Sequence, residues 1–486
     1  MQFNSINFLL FLLVAFLIYW LAFNKTEKRQ NFFISLVSLF FYAWWDWRFF
    51  GLLLTTILST YYFGWLIAKG KKLDTVILKK KKSWWLLMFA LSLNVGILLF
   101  FKYFNFFLQS FIDTFSFFGK ELNITLFKII LPVGISFYTF TALSYIIDIY
   151  KNKTSPTNNF FAYLAYVSFF PALLCGPIGR SMDQLPQFFS KREFNYSLIT
   201  KAGQLMLWGF FMKLCVADRV GMYVDAIYNN VAQHNGSSMI LATVLYAFQL
   251  YCDFGGYSLV AIGIGTLFGI RLQENFRRPY LSISFSEYWK RNHISLTQWL
   301  MDYVYYPLVG DSIKLIYWNF CMIITFLISG LWHGAAWTFV LWGLYQGIFI
   351  VLSTNNARRR KMFEKKRNLQ NNILYKVTTT LITFGIICFG LIFFRANNVE
   401  DAFQIIKNVL INFNSSVYIE GTTLAYSAIG ISVLLFKDLK DEFFPKKLRI
   451  FESHYTIVRL LSYGFLMILI LLTGVFDDTQ FIYFQF

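Results

Sequence analysis

Apolar runs close to the roughly 20 residues that cross the ~30 Å hydrocarbon core of a bilayer recur from one end of this chain to the other. The first, FNSINFLLFLLVAFLIYWLAF at 3–23, sets the pattern. Inside lipid every backbone N–H and C=O must find a partner within the protein, which leaves helices or closed barrels. Barrel strands alternate apolar and polar residues; these segments are apolar throughout. The fold class that follows is an all-α polytopic membrane protein. Composition agrees: 14% of the 486 residues are charged and 57% are hydrophobic, where a soluble domain carries about 25% charged residues.

A formal charge of +19 would point to nucleic acid if it were spread over a soluble surface. Instead it is bunched between apolar runs. Lys69 to Lys82 holds seven lysines against one aspartate, and Arg358 to Arg367 holds seven basic residues against one glutamate. Lys437 to Arg449 holds five against three acids. Basic loops flanking apolar segments are the signature of cytoplasmic loops, and anionic lipid headgroups are their expected partners. No nucleic-acid role is expected.

The charges orient the chain. No Lys or Arg precedes Lys25, and no small-residue cleavage signal follows the first run, so it reads as a retained span with its N-terminus outside. Expected spans follow at 31–45 and 49–68 (turning at Trp45 to Trp47), 84–107, 126–149, 198–217 and 238–270. Further spans are expected at 316–331, 333–352, 373–394, 421–436 and 456–475. Residues 160–175 are short, flanked by basic residues and end in FFPALLCGPIGR; they read as re-entrant. Residues 271–313 read as an amphipathic stretch on the cytoplasmic side. The sum is roughly 11 to 12 spans in one continuous membrane domain, 1–486.

Two scarce residue types narrow the chemistry. The five cysteines, Cys175, Cys215, Cys252, Cys321 and Cys388, are far apart and lie in or beside apolar runs. They read as packing residues rather than disulfide or metal ligands. The four histidines are His234, His293, His333 and His454; none pairs with another at helical i, i+4 spacing, so no metal site is expected. His333 sits in ISGLWHGAAWTFVLWG, and an ionisable residue at membrane depth is a functional candidate because its burial is costly. A neutral histidine bonded to a helix carbonyl is the plainer alternative. Neutral imidazole can take a proton from a hydroxyl near pH 7, and Gly334, Ala335 and Ala336 leave room for close approach. His293, in SFSEYWKRNHISLTQWLMDYVYYPL, is expected near the cytoplasmic face, opposite His333. Around it Arg271, Arg277, Arg278, Lys290 and Arg291 could hold the phosphates of an anionic carrier, or serve only headgroups and topology.

At these segments the sequence resembles the membrane-bound O-acyltransferase (MBOAT) family, in the bacterial branch typified by the alginate O-acetylation membrane protein. The resemblance covers nearly the whole chain in order. It runs through FYAWWDWRFF at 41–50, LPVGISFYTFTALSYIIDIY at 131–150 and YCDFGGYSLVAIGIGTLFGIRLQENFRRPY at 251–280. SEYWKRNHISLTQWLMDYVYYPL at 286–308, SGLWHGAAWTFVLWGLYQG at 329–347 and FFRA at 393–396 complete it. The usual D-F-S-G-Y-S reads Asp253, Phe254, Gly255, Gly256, Tyr257, Ser258 here.

What the resemblance implies is a ring of helices around a central tunnel, with re-entrant segments, in the bacterial cytoplasmic membrane. The implied reaction moves an acyl group from a thioester, with acetyl-CoA the expected substrate and no bound cofactor, to a hydroxyl. The catalytic role falls on His333, with His293 as second histidine. Arg277, Arg278, Lys290 and Arg291 are the donor-binding candidates. Trp332, Asn292, Asp253 and Asp302 are expected to support the tunnel. The branch implies O-acetylation of an exported or cell-envelope polysaccharide through an extracytoplasmic SGNH-type acetyltransferase partner. Two other enzymatic and non-enzymatic readings stay open: D-alanyl transfer to teichoic acid from a carrier-protein thioester, and a transporter with a histidine proton relay. A transporter commonly shows two related halves, and none is visible here. A non-catalytic scaffold for the envelope partner is a further alternative.

Overall fold

The computed structural model describes residues 1–77, 81–122, 124–413, 416–418, 420–445, 453, 455–476 and 481, without the side chains of 73–77 and 81. His454, Lys79, Lys80, Lys446, Lys447 and Arg449 lie outside the described residues. Among the described residues the regular structure is helical, with no strand. Eight helices are long and apolar enough to cross a membrane. The other four expected spans are helical but fall short in length or hydropathy. Ile6–Ala22 has 17 residues and Ile135–Tyr150 has 16. Glu27–Trp45 carries a buried polar stripe of Gln30, Asn31, Ser35 and Ser38. Tyr196–Phe210 runs into a π-helical stretch, Phe211–Ala217. The expected span 126–149 is therefore corrected: its first nine residues, ending at Gly134, are not helical.

The chain divides into two compact units, one of Met1–Gly203 with Ala261–Gln273, the other of Gln204–Val260 with Glu274–Phe486. In the first unit, the polar stripe of Glu27–Trp45 has a physical purpose. Arg192 is buried, and its guanidinium donates to Asn31 Oδ1 at 2.9 Å and to the Tyr19 hydroxyl at 2.9 Å. Gln30 closes the set, donating to the Arg192 carbonyl at 2.8 Å and accepting from its N–H at 2.9 Å. A buried cation costs far less when hydrogen bonds replace the water it has lost. The segment expected to be re-entrant forms a nine-residue helix, Phe160–Ser168, a break at Phe169, and a four-residue turn, Phe170–Leu173. Nine residues rise only about 14 Å, too little to span.

The second unit is organised by a helical hairpin, Leu315–His333 and Trp337–Asn355. A Cβ on Gly330 would lie 2.2 Å from the Phe339 carbonyl, so the two backbones touch there and only glycine allows it. His333 ends the first helix rather than opening the second. The stretch 271–313 is not one continuous amphipathic helix. From His293 it runs through Ile294–Leu300, a π-helical turn Met301–Tyr305 and Tyr306–Val309, then reverses into Leu315–His333. The reversal is pinned by Tyr317 Oη donating to the Leu308 carbonyl at 3.0 Å and Trp318 Nε1 donating to the Ser312 carbonyl at 2.6 Å. The run from Ile294 to Val309 rises roughly 24 Å and the 19-residue return about 28 Å. Two runs of similar length in opposite directions bring His333 back beside His293. All five cysteines are buried thiols, as packing residues should be.

Candidate active site

His333 is the last residue of its helix, and Gly334 turns away in extended backbone. A Cβ on Gly334 would lie 2.1 Å from the Phe339 ring, so the W-H-G order lets an aromatic ring close against the turn. The His333 imidazole is boxed by Trp332 and Trp342 at 5.0 Å and Phe394 at 5.1 Å between ring centroids, each near perpendicular. The ring is 4% exposed.

His293 is held differently. It joins helices Phe285–Arg291 and Ile294–Leu300 in left-handed backbone, φ 44°, a conformation costly for a residue with a Cβ and one that clusters at functional sites. Its Nδ1 lies 3.2 Å from Asn275 Oδ1, and burial pushes its pKa well below the ordinary histidine value. The two imidazoles are 6.1 Å apart between centroids. The expectation that they lie on opposite sides is therefore corrected. Loop charge located His293 by its basic neighbours, whereas the hairpin geometry returns His333 to it.

Both histidines line one cavity of about 20 Å³, walled by Trp342, Phe394, Tyr288 and Asn292, room for roughly one water. A far larger cavity of about 720 Å³ begins at the Gly334–Ala336 turn and shares Phe394 with the small one. Its wall contains a buried ion triad, with Lys213 Nζ 2.8 Å from Asp218 and 2.5 Å from Asp253. Arg395, paired with Asp225 at 2.6 Å, lines it too.

The basic cluster is compact but not bare. The Arg277 N–H donates to the Arg291 carbonyl at 2.8 Å. Arg278 and Arg291 share Glu442, at 2.6 and 2.9 Å, Arg291 also meets Glu287 at 2.6 Å, and Arg277 meets Glu274 at 2.5 Å. Burial opposes the charge on Arg291, but its hydrogen bonds to Glu442 and Glu287 hold its pKa above the ordinary value. Lys290 is exposed. Three carboxylates thus stand among four cations, and an anion entering here would exchange with them.

The predicted residues divide cleanly. His333, His293, Trp332 and Asn292 come together, with Trp332 5.7 Å from His293. Asp253 belongs to the large cavity instead, paired with Lys213. Asp302 lies half-buried in the π-helical turn and lines neither cavity. Four further residues carry the site: Asn275, Lys213, Phe394 and Glu442. Of these Phe394 stood in plain sight in FFRA. A lysine inside an apolar helix was a signal for Lys213. Nothing local marked Glu442, which lies 164 residues from Arg278.

Fold and site together define a polytopic helical membrane protein with a buried pair of histidines beside a polar chamber. A family model described as MBOAT, membrane-bound O-acyltransferase family, matches residues 39–395. The chain belongs to the membrane-bound O-acyltransferase family, and it is an O-acyltransferase. It is 33% identical over 430 residues to the peptidoglycan O-acetyltransferase of Helicobacter pylori, covering 82% of this chain and 78% of that protein. It is 34% identical to the probable alginate O-acetylase AlgI of Pseudomonas aeruginosa, covering 83% and 74%. A teichoic acid D-alanyltransferase of Streptococcus thermophilus is 27% identical, covering 54% and 68%.

Proposed function

We propose that this protein takes an acetyl group from acetyl-CoA at the cytoplasmic face of the bacterial inner membrane and passes it to a hydroxyl, for O-acetylation of a cell-envelope polysaccharide. The observation that carries this reading is the pair of imidazoles 6.1 Å apart in one small cavity, next to a chamber large enough for an acceptor. Relatives named for O-acetyl transfer to peptidoglycan and alginate match over more of the chain than the D-alanyltransferase does, which favours acetyl over D-alanyl.

His333 is the general base. The acceptor hydroxyl oxygen attacks the thioester carbonyl carbon while His333 takes the hydroxyl proton. The C–S bond then breaks, and the departing sulfur receives that proton from the imidazolium, giving an ester and a free thiol. Arg277, Arg278, Lys290 and Arg291 hold the donor's phosphates in exchange for Glu274, Glu287 and Glu442. Asp253, Lys213 and the Gly334–Ala336 turn face the acceptor, which is either the polysaccharide itself or an extracytoplasmic SGNH-type partner that relays the group. The N-terminus lies outside, and basic loops meet anionic lipid inside.

The test is acetyl transfer from radiolabelled acetyl-CoA in proteoliposomes holding the purified protein and candidate acceptors. Label appearing as acceptor ester, with none from D-alanyl carrier thioester, supports the reading. Label crossing the bilayer unreacted would make the chain a transporter, and label from D-alanyl thioester alone would make it a D-alanyltransferase.

A further inference from the structure

Asn275 sits in an extended segment and is 1% exposed. Its backbone carbonyl accepts from the Ile294 N–H at 2.9 Å. Its side-chain oxygen gathers three contacts: the Ser295 N–H at 3.2 Å, the Ser295 hydroxyl at 2.8 Å and His293 Nδ1 at 3.2 Å. Its Nδ2 faces the Ser258 hydroxyl at 3.2 Å.

These contacts decide a proton. A backbone N–H can only donate, so the amide atom facing Ser295 N must be the oxygen and not the nitrogen. That oxygen only accepts, so the His293 nitrogen beside it must carry the hydrogen. In a neutral imidazole one nitrogen donates and the other accepts. The lone pair therefore sits on Nε2, on the far side of the ring from Asn275. Burial favours the neutral ring.

We infer that Asn275 is a positioning residue that fixes His293 as its Nδ1–H tautomer, so that Nε2 serves the reaction as a hydrogen-bond acceptor and cannot act as an oxyanion donor. This rests on the acyl-transfer reading of the two-histidine cavity. Within that reading it divides the labour: neither neutral ring need stabilise the tetrahedral oxygen. His333 takes the single proton of the attacking hydroxyl, and His293 Nε2 accepts from a second donor on the bound substrate, a neighbouring hydroxyl or amide N–H, and so orients it. Ser258 then gains a role, because its hydroxyl locks the Asn275 amide and ties the tautomer to the D-F-G-G-Y-S helix.

The tautomer is measured directly, without any turnover. Protein labelled with ¹⁵N-histidine and reconstituted in nanodiscs gives ring nitrogen shifts that separate protonated from unprotonated atoms, with the His293 signals identified by their loss in His293→Gln. The expected result is a protonated Nδ1 and an unprotonated Nε2; the reverse overturns the proposal whether or not acyl transfer is found. Asn275→Leu is expected to lose the Nδ1–H preference and to slow transfer by about 10²-fold. Asn275→Asp keeps an acceptor at Nδ1 and is expected to retain the tautomer and most of the rate. Its carboxylate raises the basicity of His293, so the acid limb of the rate profile moves to higher pH. The other titratable groups lining this cavity are His333, Tyr251, Tyr280 and Tyr288, and the shift must survive in a profile where His333 is intact. Should Asn275→Leu fail to fold, the wild-type spectrum and the Asn275→Asp profile decide alone. An Asn275→Asp profile identical to wild type, or a wild-type tautomer in Asn275→Leu, overturns the assignment.

Discussion

The two cavities that meet at Phe394 are opposites. One holds about 20 Å³ and is walled by rings around two histidines; the other holds about 720 Å³ and is walled by ion pairs and amides. The proposed acyl transfer from a thioester uses both environments. The bond-making step gains from a small, low-dielectric site, where fixed dipoles act at full strength and bulk water is kept from the reacting carbonyl. Acceptor binding gains from a wet, polar one. Aromatic side chains separate the two because they fill volume without adding charge, and Phe394, in contact with His333, stands at the boundary.

The comparison breaks most sharply at the charged wall of the large cavity. Lys213→Met leaves Asp218 and Asp253 buried without their cation, and breaking such a buried pair costs about 3–5 kcal/mol. Thermal unfolding in detergent should show a large drop in Tm; an unchanged Tm would mean that the triad is solvated rather than buried. Next in size is His293→Ala, expected to reduce transfer by roughly 10²-fold with Tm preserved, since the small cavity loses a reactive group and gains only space.

Phe394→Ala removes the wall itself. Its expected signature is a changed outcome more than a lost rate: thioester hydrolysis should rise relative to ester formation, read as free acetate against acetylated acceptor. A hydrolysis ratio equal to wild type would mean that the two cavities are not separated there. The smallest effect is expected at the basic cluster. Arg278→Glu should raise the KM for acetyl-CoA several-fold while leaving kcat nearly unchanged, because partly exposed charges position the donor rather than react. Glu442→Gln should lower Tm more than Arg278→Gln does, because Glu442 pairs with both Arg278 and Arg291; equal drops would mean that the two arginines do not share it.

Legibility in the sequence followed the range of the interactions. Helices and their apolar runs depend on local composition, and His333 was visible because a polar residue inside an apolar run has no local excuse. The meeting of His293 with His333 was hidden for a specific reason. Residues 294–309 carry Asp302, Pro307 and three tyrosines, and a π-helical turn shifts their register, so no apolar stripe betrayed a run matching Leu315–His333. The segment's basic neighbours then set His293 apart from His333, which the structure brings within 6.1 Å of it. Glu442 and Asn275 were invisible because their meaning lies in partners far along the chain. The shorter helices Ile6–Ala22 and Ile135–Tyr150 show the same limit in reverse: apolar character is readable, but the turn ending at Gly134 shortens the second from its N-terminal side.

His333 is proposed as the base in the small cavity. Its most direct test is the rate of labelled acetyl transfer by purified His333→Ala protein in proteoliposomes, beside wild type of equal Tm. The account predicts a loss of roughly 10²–10⁴-fold with donor binding intact. A wild-type rate from the folded variant would contradict it.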